Sequence, residues 1–285
     1  MLFLVNGAGG LVEQCIVLSS IRGNICYKWT ALTRAEQMMK TIDLNIDLGE
    51  GQADDAALMV FASSCNIACG GHSGDARSMR QALQSARQAG IHIGAHPSYP
   101  DRAGFGRRSL DIDDAALGQS LDQQLMTLQR LADEAGVGIS HVKPHGALYH
   151  DLADCSRRSS MFVEHVAAIL PQAALIGPPE GCLREVAERL GRRYLAEGFA
   201  DRRYYSDGRL VARSKAGALL ETAEESALQA VSLARDSLVK ALNGETVSLA
   251  IDTLCLHGDT QDAIVRAQAI TDELQTAGIG IRCPL

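Results

Sequence analysis

Short apolar runs in this chain stop repeatedly at glycine-rich polar clusters that carry a histidine. The clusters are Cys69-Gly-Gly-His72-Ser-Gly-Asp75, Gly94-Ala-His96-Pro97, Lys143-Pro-His145-Gly146 and Leu256-His257-Gly258-Asp259. A further run, Ile42-Asp-Leu-Asn-Ile-Asp47, ends in Leu48-Gly-Glu50-Gly51, with acids in place of histidine. A strand that delivers a reactive group where it stops, with a helix to follow, is the repeating unit of an α/β barrel. In that fold the active site lies on one rim, at the C-terminal ends of the strands.

The rest of the pattern agrees. Strands are predicted at 42–47, 64–69, 91–95, 140–143, 173–177, 193–197 and 249–254, with a terminal one at 279–282. Helical patterns fall between them. One starts at Asp75 as N-cap, places Met79, Leu83, Ala86 and Ala89 near one face, and stops at Gly90. Another follows Asp113, with Leu117, Leu121, Leu125, Leu128 and Ala132 on one stripe. The stretches 180–190, 221–243 and 259–277 are similar in kind. About seven strand–helix units suffice to close a barrel; an open doubly wound sheet is the alternative that periodicity alone leaves standing. Two polar loops, 98–108 and 198–213, are longer than a barrel requires and are expected to build the substrate pocket.

At 285 residues the chain can bury a large core, and a formal net charge of −7 argues against a nucleic-acid footprint or an anionic membrane surface. No apolar run is long enough for a membrane span, so a cytoplasmic location is expected. The eight cysteines show no Cys-x-x-Cys spacing and read as reduced, small apolar residues. Residues 1–38 stand apart. Their Asn6-Gly-Ala-Gly-Gly10 stretch fails the dinucleotide fingerprint at Val12. They read as an upstream extension with a misplaced start, peripheral or disordered, followed by a single catalytic domain over 39–285.

Asp43, Asn45 and Asp47 alternate, so all three point to one face of their strand, which in a barrel is the interior. Polar groups there are costly unless paired or used. Glu50, just past the strand end, suits a general base or a group that orients a histidine. His72, His96, His145 and His257 sit at strand ends. His92, His141, His150 and His165 are expected within a strand, near a strand start, on a loop and on a helix, in structural or surface roles. Imidazoles with a carboxylate can bind a divalent metal, and Asp47, His72 and His96 are the set that would do so, although no compact spacing marks a site. Lys143 suits a phosphate or carboxylate oxygen. Arg102, Arg107, Arg108 and Arg202 offer bidentate binding of such groups. No Gly-x-x-x-x-Gly-Lys-Ser/Thr loop is present, so any ATP is held in another way.

Asp43-Leu-Asn-Ile-Asp-Leu-Gly-Glu50, Asn66-Ile-Ala-Cys-Gly-Gly-His72-Ser-Gly-Asp75, Gly94-Ala-His-Pro-Ser-Tyr-Pro-Asp-Arg102, Phe105-Gly-Arg107, His141-Val-Lys-Pro-His145-Gly-Ala-Leu-Tyr149, Phe199-Ala-Asp-Arg202, Arg213-Ser and Cys255-Leu-His-Gly-Asp259 occur in that order. From about Met39 to the C-terminus the chain resembles the LamB/YcsF family. Gly71 departs from the pattern, since the family often carries an aromatic residue there, and is expected to enlarge the pocket.

The resemblance implies an irregular seven-stranded β/α barrel of the glycoside hydrolase/deacetylase type. It also implies the A component of an ATP-dependent 5-oxoprolinase, which opens the 5-oxoproline lactam to L-glutamate with subunits B and C. On that reading ATP is the co-substrate, shared with the partners. Asp47 or Glu50 with His72 activates water, while His96 and His145 act as acid or oxyanion partners. Lys143 neutralises a phosphoryl group, and Arg107 or Arg202 binds the substrate carboxylate. Asn45, Asp75 and His257 complete the substrate contacts. A metal-dependent deacetylase of an acetylated sugar and a non-catalytic binding subunit are the alternatives.

Overall fold

The computed structural model describes residues 17–21, 24–28, 40–51, 55–260 and 262–285. Two short strands, β1 (Val17–Ile21) and β2 (Asn24–Lys28), pair antiparallel with Val17 opposite Lys28. They belong to a unit separate from Thr41–Leu285. The remainder of the 1–38 extension, with its failed fingerprint, lies outside the described residues.

The second unit runs β3 (Thr41–Leu48), α1 (Asp55–Leu58), β4 (Ser64–Ala68), α2 (Ala76–Ala89), β5 (His92–His96), α3 (Asp114–Ala135) and β6 (His141–Val142). It continues through α4 (Gly146–Asp154), α5 (Ser156–Ile169), β7 (Ala174–Gly177), α6 (Cys182–Arg189), β8 (Tyr194–Phe199) and α7 (Ala223–Asp236). It ends with β9 (Leu238–Lys240), β10 (Thr246–Ser248), β11 (Thr253–Leu256), α8 (Ala263–Thr276) and β12 (Gly280–Ile281). Strands β3 to β8 pair in parallel in sequence order, then β11, and β11 pairs back onto β3 with Thr253 opposite Asp43. Seven parallel strands therefore close a barrel, and β12 adds a two-residue pairing at the start of β3.

The helix signals act as expected. The Asp75 side chain accepts from the backbone N–H of Arg77 and Ser78, and Gly90, at φ 68°, ends α2. The leucine stripe of α3 is fully buried against the barrel. Three expectations move. The strand predicted at 249–254 begins four residues later, at Thr253, because the apolar residues before it pack beside the β9–β10 hairpin, where Leu249 N–H donates to Ser237. The helix predicted over 221–243 stops at Asp236, where Ser237 takes φ 57° and turns the chain into that hairpin. His150 lies on helix α4, not on a loop. Among the described residues no helix is long and apolar enough to cross a membrane. Six described cysteines are free thiols.

The barrel interior is polar and arranged in tiers. At the lower end the Asp43 carboxylate accepts from Ser63, Ser64 and Thr253 hydroxyls at 2.6, 2.8 and 2.6 Å. Above it the Asn45 amide donates to Glu197 and Thr253, and Asn66 donates to Asn45 and to Asp47. His141 Nε2 donates to the Asn66 side-chain oxygen at 2.9 Å. The alternating face read from β3 is thus the interior, but Asp43 serves as a hydrogen-bonded plug. Gly94 lets the His141 ring in, since a Cβ there would lie 2.1 Å from its Nε2. Gly94→Ala is expected to destabilise the fold by about 1–3 kcal/mol through overpacking, read as a lower urea midpoint at unchanged slope.

Candidate active site

The upper tier opens into a cavity of about 530 Å³ lined by residues from the ends of β3, β5, β6, β8 and β11 and from the two long loops. Asp47, Glu50, His96, Lys143, His145, Arg107, Arg202 and His257 all line it, together with Arg213, Phe199 and Tyr149. Eight of the eleven expected site residues thus meet in one place. The other three do not reach it. Asn45 is fully buried in the tier below and occupied by its neighbours. Asp75 is an exposed helix cap. His72 is buried behind the cavity wall, where its Nε2 faces Glu50 Oε1 at 3.0 Å and its ring stacks on His145 at 3.6 Å.

Lys143 and Asp47 form the charged centre. Lys143 Nζ lies 2.7 Å from Glu197, 3.2 Å from Asp47 and Asn45, and 3.1 Å from the Cys255 sulfur. Burial opposes its charge, but Asp47, Cys255 and Glu197 overcome that and hold the ammonium well above its usual range. Burial likewise opposes the Asp47 charge, while His96 and Lys143 hold the carboxyl well below the usual carboxylate range. Both groups are therefore ionised. The lysine's donors are taken up by the barrel interior, so it is not presented as a free cation to a phosphoryl group.

Next to Asp47 lies an imidazole–carboxylate cluster. His96 Nδ1 donates to the Lys143 carbonyl at 2.7 Å, and His145 Nε2 donates to the Phe105 carbonyl at 3.0 Å. A carbonyl oxygen only accepts, so these contacts put a proton on His96 Nδ1 and on His145 Nε2. Phe105 holds that carbonyl in place from a left-handed backbone conformation, φ 53°. The remaining nitrogens, His96 Nε2 and His145 Nδ1, face each other at 3.0 Å and lie 3.9 and 3.4 Å from Glu50 Oε1. Asp47 Oδ2 is 3.4 Å from His96 Nε2. Burial raises the Glu50 carboxyl, and burial together with His96 pushes His72 down to about 2, a neutral imidazole. The set expected to bind a metal, Asp47 with His72 and His96, is rearranged here: His96 groups with Glu50 and His145, and His72 supports Glu50 from behind.

The opposite wall is built by β8 and β11. His257 stacks on Phe199 and directs Nδ1 to Asp201 at 2.8 Å, leaving its other nitrogen on the cavity side. One ligand atom from each of His257, Asp47 and Cys255 falls within 4.8 Å of the others. At the mouth, Asp259 receives Arg107 at 2.7 Å and Arg213 at 2.5 Å, which places two guanidinium groups side by side. Arg202 is buried; it donates to the Val211 carbonyl, and its Nε has no partner. Arg102 instead ties down the Gly70 and Gly74 carbonyls, and Arg108 pairs with Asp101. Gly71 does not enlarge the cavity, because a Cβ there would meet Ser98 Oγ at 2.4 Å and Gln124 Oε1 at 2.5 Å.

Glu197, Asp201 and Arg213 were not singled out by sequence reasoning as site residues. Glu197 carried a signal, an acid inside an apolar strand, of the kind that drew attention to Asp47. Asp201 and Arg213 lay within stretches that carry the family resemblance, Phe199-Ala-Asp-Arg202 and Arg213-Ser, but their role comes from pairing with His257 and Asp259, which those stretches do not show.

Comparison with known proteins accords with this arrangement. The model of the LamB/YcsF family matches residues 42–285. The 5-oxoprolinase A component of Neisseria meningitidis serogroup C is 42% identical over 243 residues, covering 85% of this chain and 99% of that protein. The corresponding protein of Chloroflexus aggregans is 42% identical over 251 residues, covering 86% and 100%. The crystal structure of a lactam utilization protein from Thermus thermophilus superposes with a TM-score of 0.80 at 32% identity, covering 85% of this chain and 99% of that one. The chain belongs to the LamB/YcsF family.

Proposed function

We propose that this chain is the ring-opening component of an ATP-dependent 5-oxoprolinase. The observation that carries the reading is the cavity itself: paired guanidiniums at its mouth, proton-moving groups on its walls, in a chain about 42% identical to two proteins named as the A component of 5-oxoprolinase. A lactam carbonyl is a poor electrophile, so ATP phosphorylates its oxygen first, with nucleotide held wholly or partly by subunits B and C. Water then adds to the activated carbon, the C–N bond breaks as the nitrogen takes a proton, and a second water releases phosphate and glutamate.

His257 is the group placed to move those protons. Asp201 fixes its tautomer and supports the imidazolium, and the ionised Asp47 nearby adds to that support. Arg107 and Arg213, set by Asp259, bind the ring carboxylate in two parallel hydrogen bonds. Arg213→Met is expected to raise KM for 5-oxoproline about 10- to 100-fold, the loss of one charge-assisted hydrogen bond, with a smaller change in kcat. The reading as a whole is tested by glutamate release from 5-oxoproline and ATP. Turnover should appear when the chain is combined with subunits B and C and should be missing without any one of them. Deacetylation without ATP would replace this reading with the deacetylase alternative.

A further inference from the structure

The cluster at the cavity floor presents three lone pairs to one point. His96 Nδ1 and His145 Nε2 each give a proton to a backbone carbonyl, so the second nitrogens, His96 Nε2 and His145 Nδ1, are the ones that meet at 3.0 Å, and both offer lone pairs once neither ring carries a second proton. Glu50 Oε1 completes a triangle with sides of 3.0, 3.4 and 3.9 Å. Two imidazole nitrogens and a carboxylate oxygen at such distances need a positive charge between them, a proton or a metal ion. We propose that Glu50, His96 and His145 form a binding site for one divalent transition-metal ion, with zinc as the ion their donor set suits.

Three observations support the site. Ligands held at about 2.0–2.1 Å stand about 3.3–3.4 Å apart in tetrahedral geometry and about 2.9 Å apart in octahedral geometry; the 3.0 and 3.4 Å sides fall in that range, and the 3.9 Å side between His96 and Glu50 needs a small turn of the Glu50 carboxylate. Both histidines donate their second nitrogen to a carbonyl, the outer contact that fixes a ligating imidazole. His72 extends that support, with Nε2 donating to Glu50 and its ring stacked on His145. All three ligand residues also line the cavity, so the remaining coordination positions face the space where substrate would sit. Two imidazoles and a carboxylate with an open position match a catalytic rather than a structural zinc site. Such an ion supplies Lewis-acid polarisation of an oxygen in the cavity. The inference does not depend on the lactam reading.

The experiment uses the full-length chain, stripped with a chelator and titrated with zinc(II) against a chromophoric competitor. One tightly bound equivalent per chain is expected. His145→Ala and Glu50→Gln should abolish tight binding, and His72→Phe, which keeps the stacked ring but removes the donor, should weaken it about 10- to 100-fold. His165→Gln, a change at a partly exposed histidine paired with Asp122, should bind zinc like the parent. Because buried substitutions can unfold a chain, zinc-edge X-ray absorption on the unmutated protein gives a measure that needs no variant, and should show two imidazoles and oxygen ligands. Absence of a stoichiometric ion, a coordination sphere without imidazole, or tight binding that survives in folded His145→Ala would overturn the site and leave a proton shared between the two rings. Zinc binding without any 5-oxoproline turnover in the complete complex would sink the lactam reading and leave the site standing.

Discussion

Lys143→Met is expected to cost about 3–5 kcal/mol of stability, the size seen when one partner of a buried ion pair is removed. Among the described residues the ammonium is the one group that pairs with both Asp47 and Glu197. Glu197 already has one oxygen without a hydrogen-bond partner. Taking away the lysine would leave two buried carboxyl groups that must either protonate or draw in water, and the Asn45 and Cys255 contacts would go with it. Urea unfolding followed by far-UV circular dichroism measures the loss. The double variant Lys143→Met/Glu197→Gln should recover part of it, because the second change removes one of the stranded charges. A single variant within about 1 kcal/mol of the parent would mean that the centre is not held together by charge.

His257→Gln should lower kcat for 5-oxoproline about 10²- to 10⁴-fold, the usual range for loss of a general acid–base group. Little change in stability is expected, since the ring lies at the cavity wall and glutamine can still reach Asp201. The kinetic split decides between roles. A proton-transfer role lowers kcat and kcat/KM together, whereas a residue that only binds substrate raises KM with kcat retained. The assay is glutamate release by the complete complex at saturating ATP. A change confined to KM would return His257 to the substrate-binding role first read from the sequence. Asp201→Asn should follow His257→Gln in direction, because without the carboxylate the imidazole loses both its fixed tautomer and its support when charged.

Much of this molecule was legible because strands and their ends are marked by strong local chemistry. His96, His145, His257, Asp47 and Glu50 were all placed on one rim by the rule that barrel strands deliver their reactive groups at their C-terminal ends, and all of them line the cavity. His72 shared the same sequence signal yet lies behind the wall. Its position depends on how the Gly70–Gly74 turn folds back, with Gly70 N–H donating to the Ser73 carbonyl, and a one-dimensional pattern does not record that. Helix α5 was read only through His165 because it begins without a side-chain cap and its first turns, Ser156-Arg-Arg-Ser-Ser160, are polar. Strand β11 was displaced because a second apolar stretch, Val247-Ser-Leu-Ala-Ile251, precedes it, and periodicity does not say which run enters the sheet. Pairings between distant loops, such as Arg213 with Asp259, left no trace in either loop alone.

The tiers inside the barrel have a consequence for how such a chain can change over generations. From Asp43 through Asn45 and Asn66 to Asp47 and Lys143, each interior group is held by the one above or below it. Any single replacement leaves a neighbour's donor or acceptor stranded away from water. The interior therefore cannot drift one position at a time as an oily core can, and its members are bound to be lost or kept together. Strong epistasis is expected along the ladder, so residues far below the cavity are as constrained as those that meet the substrate.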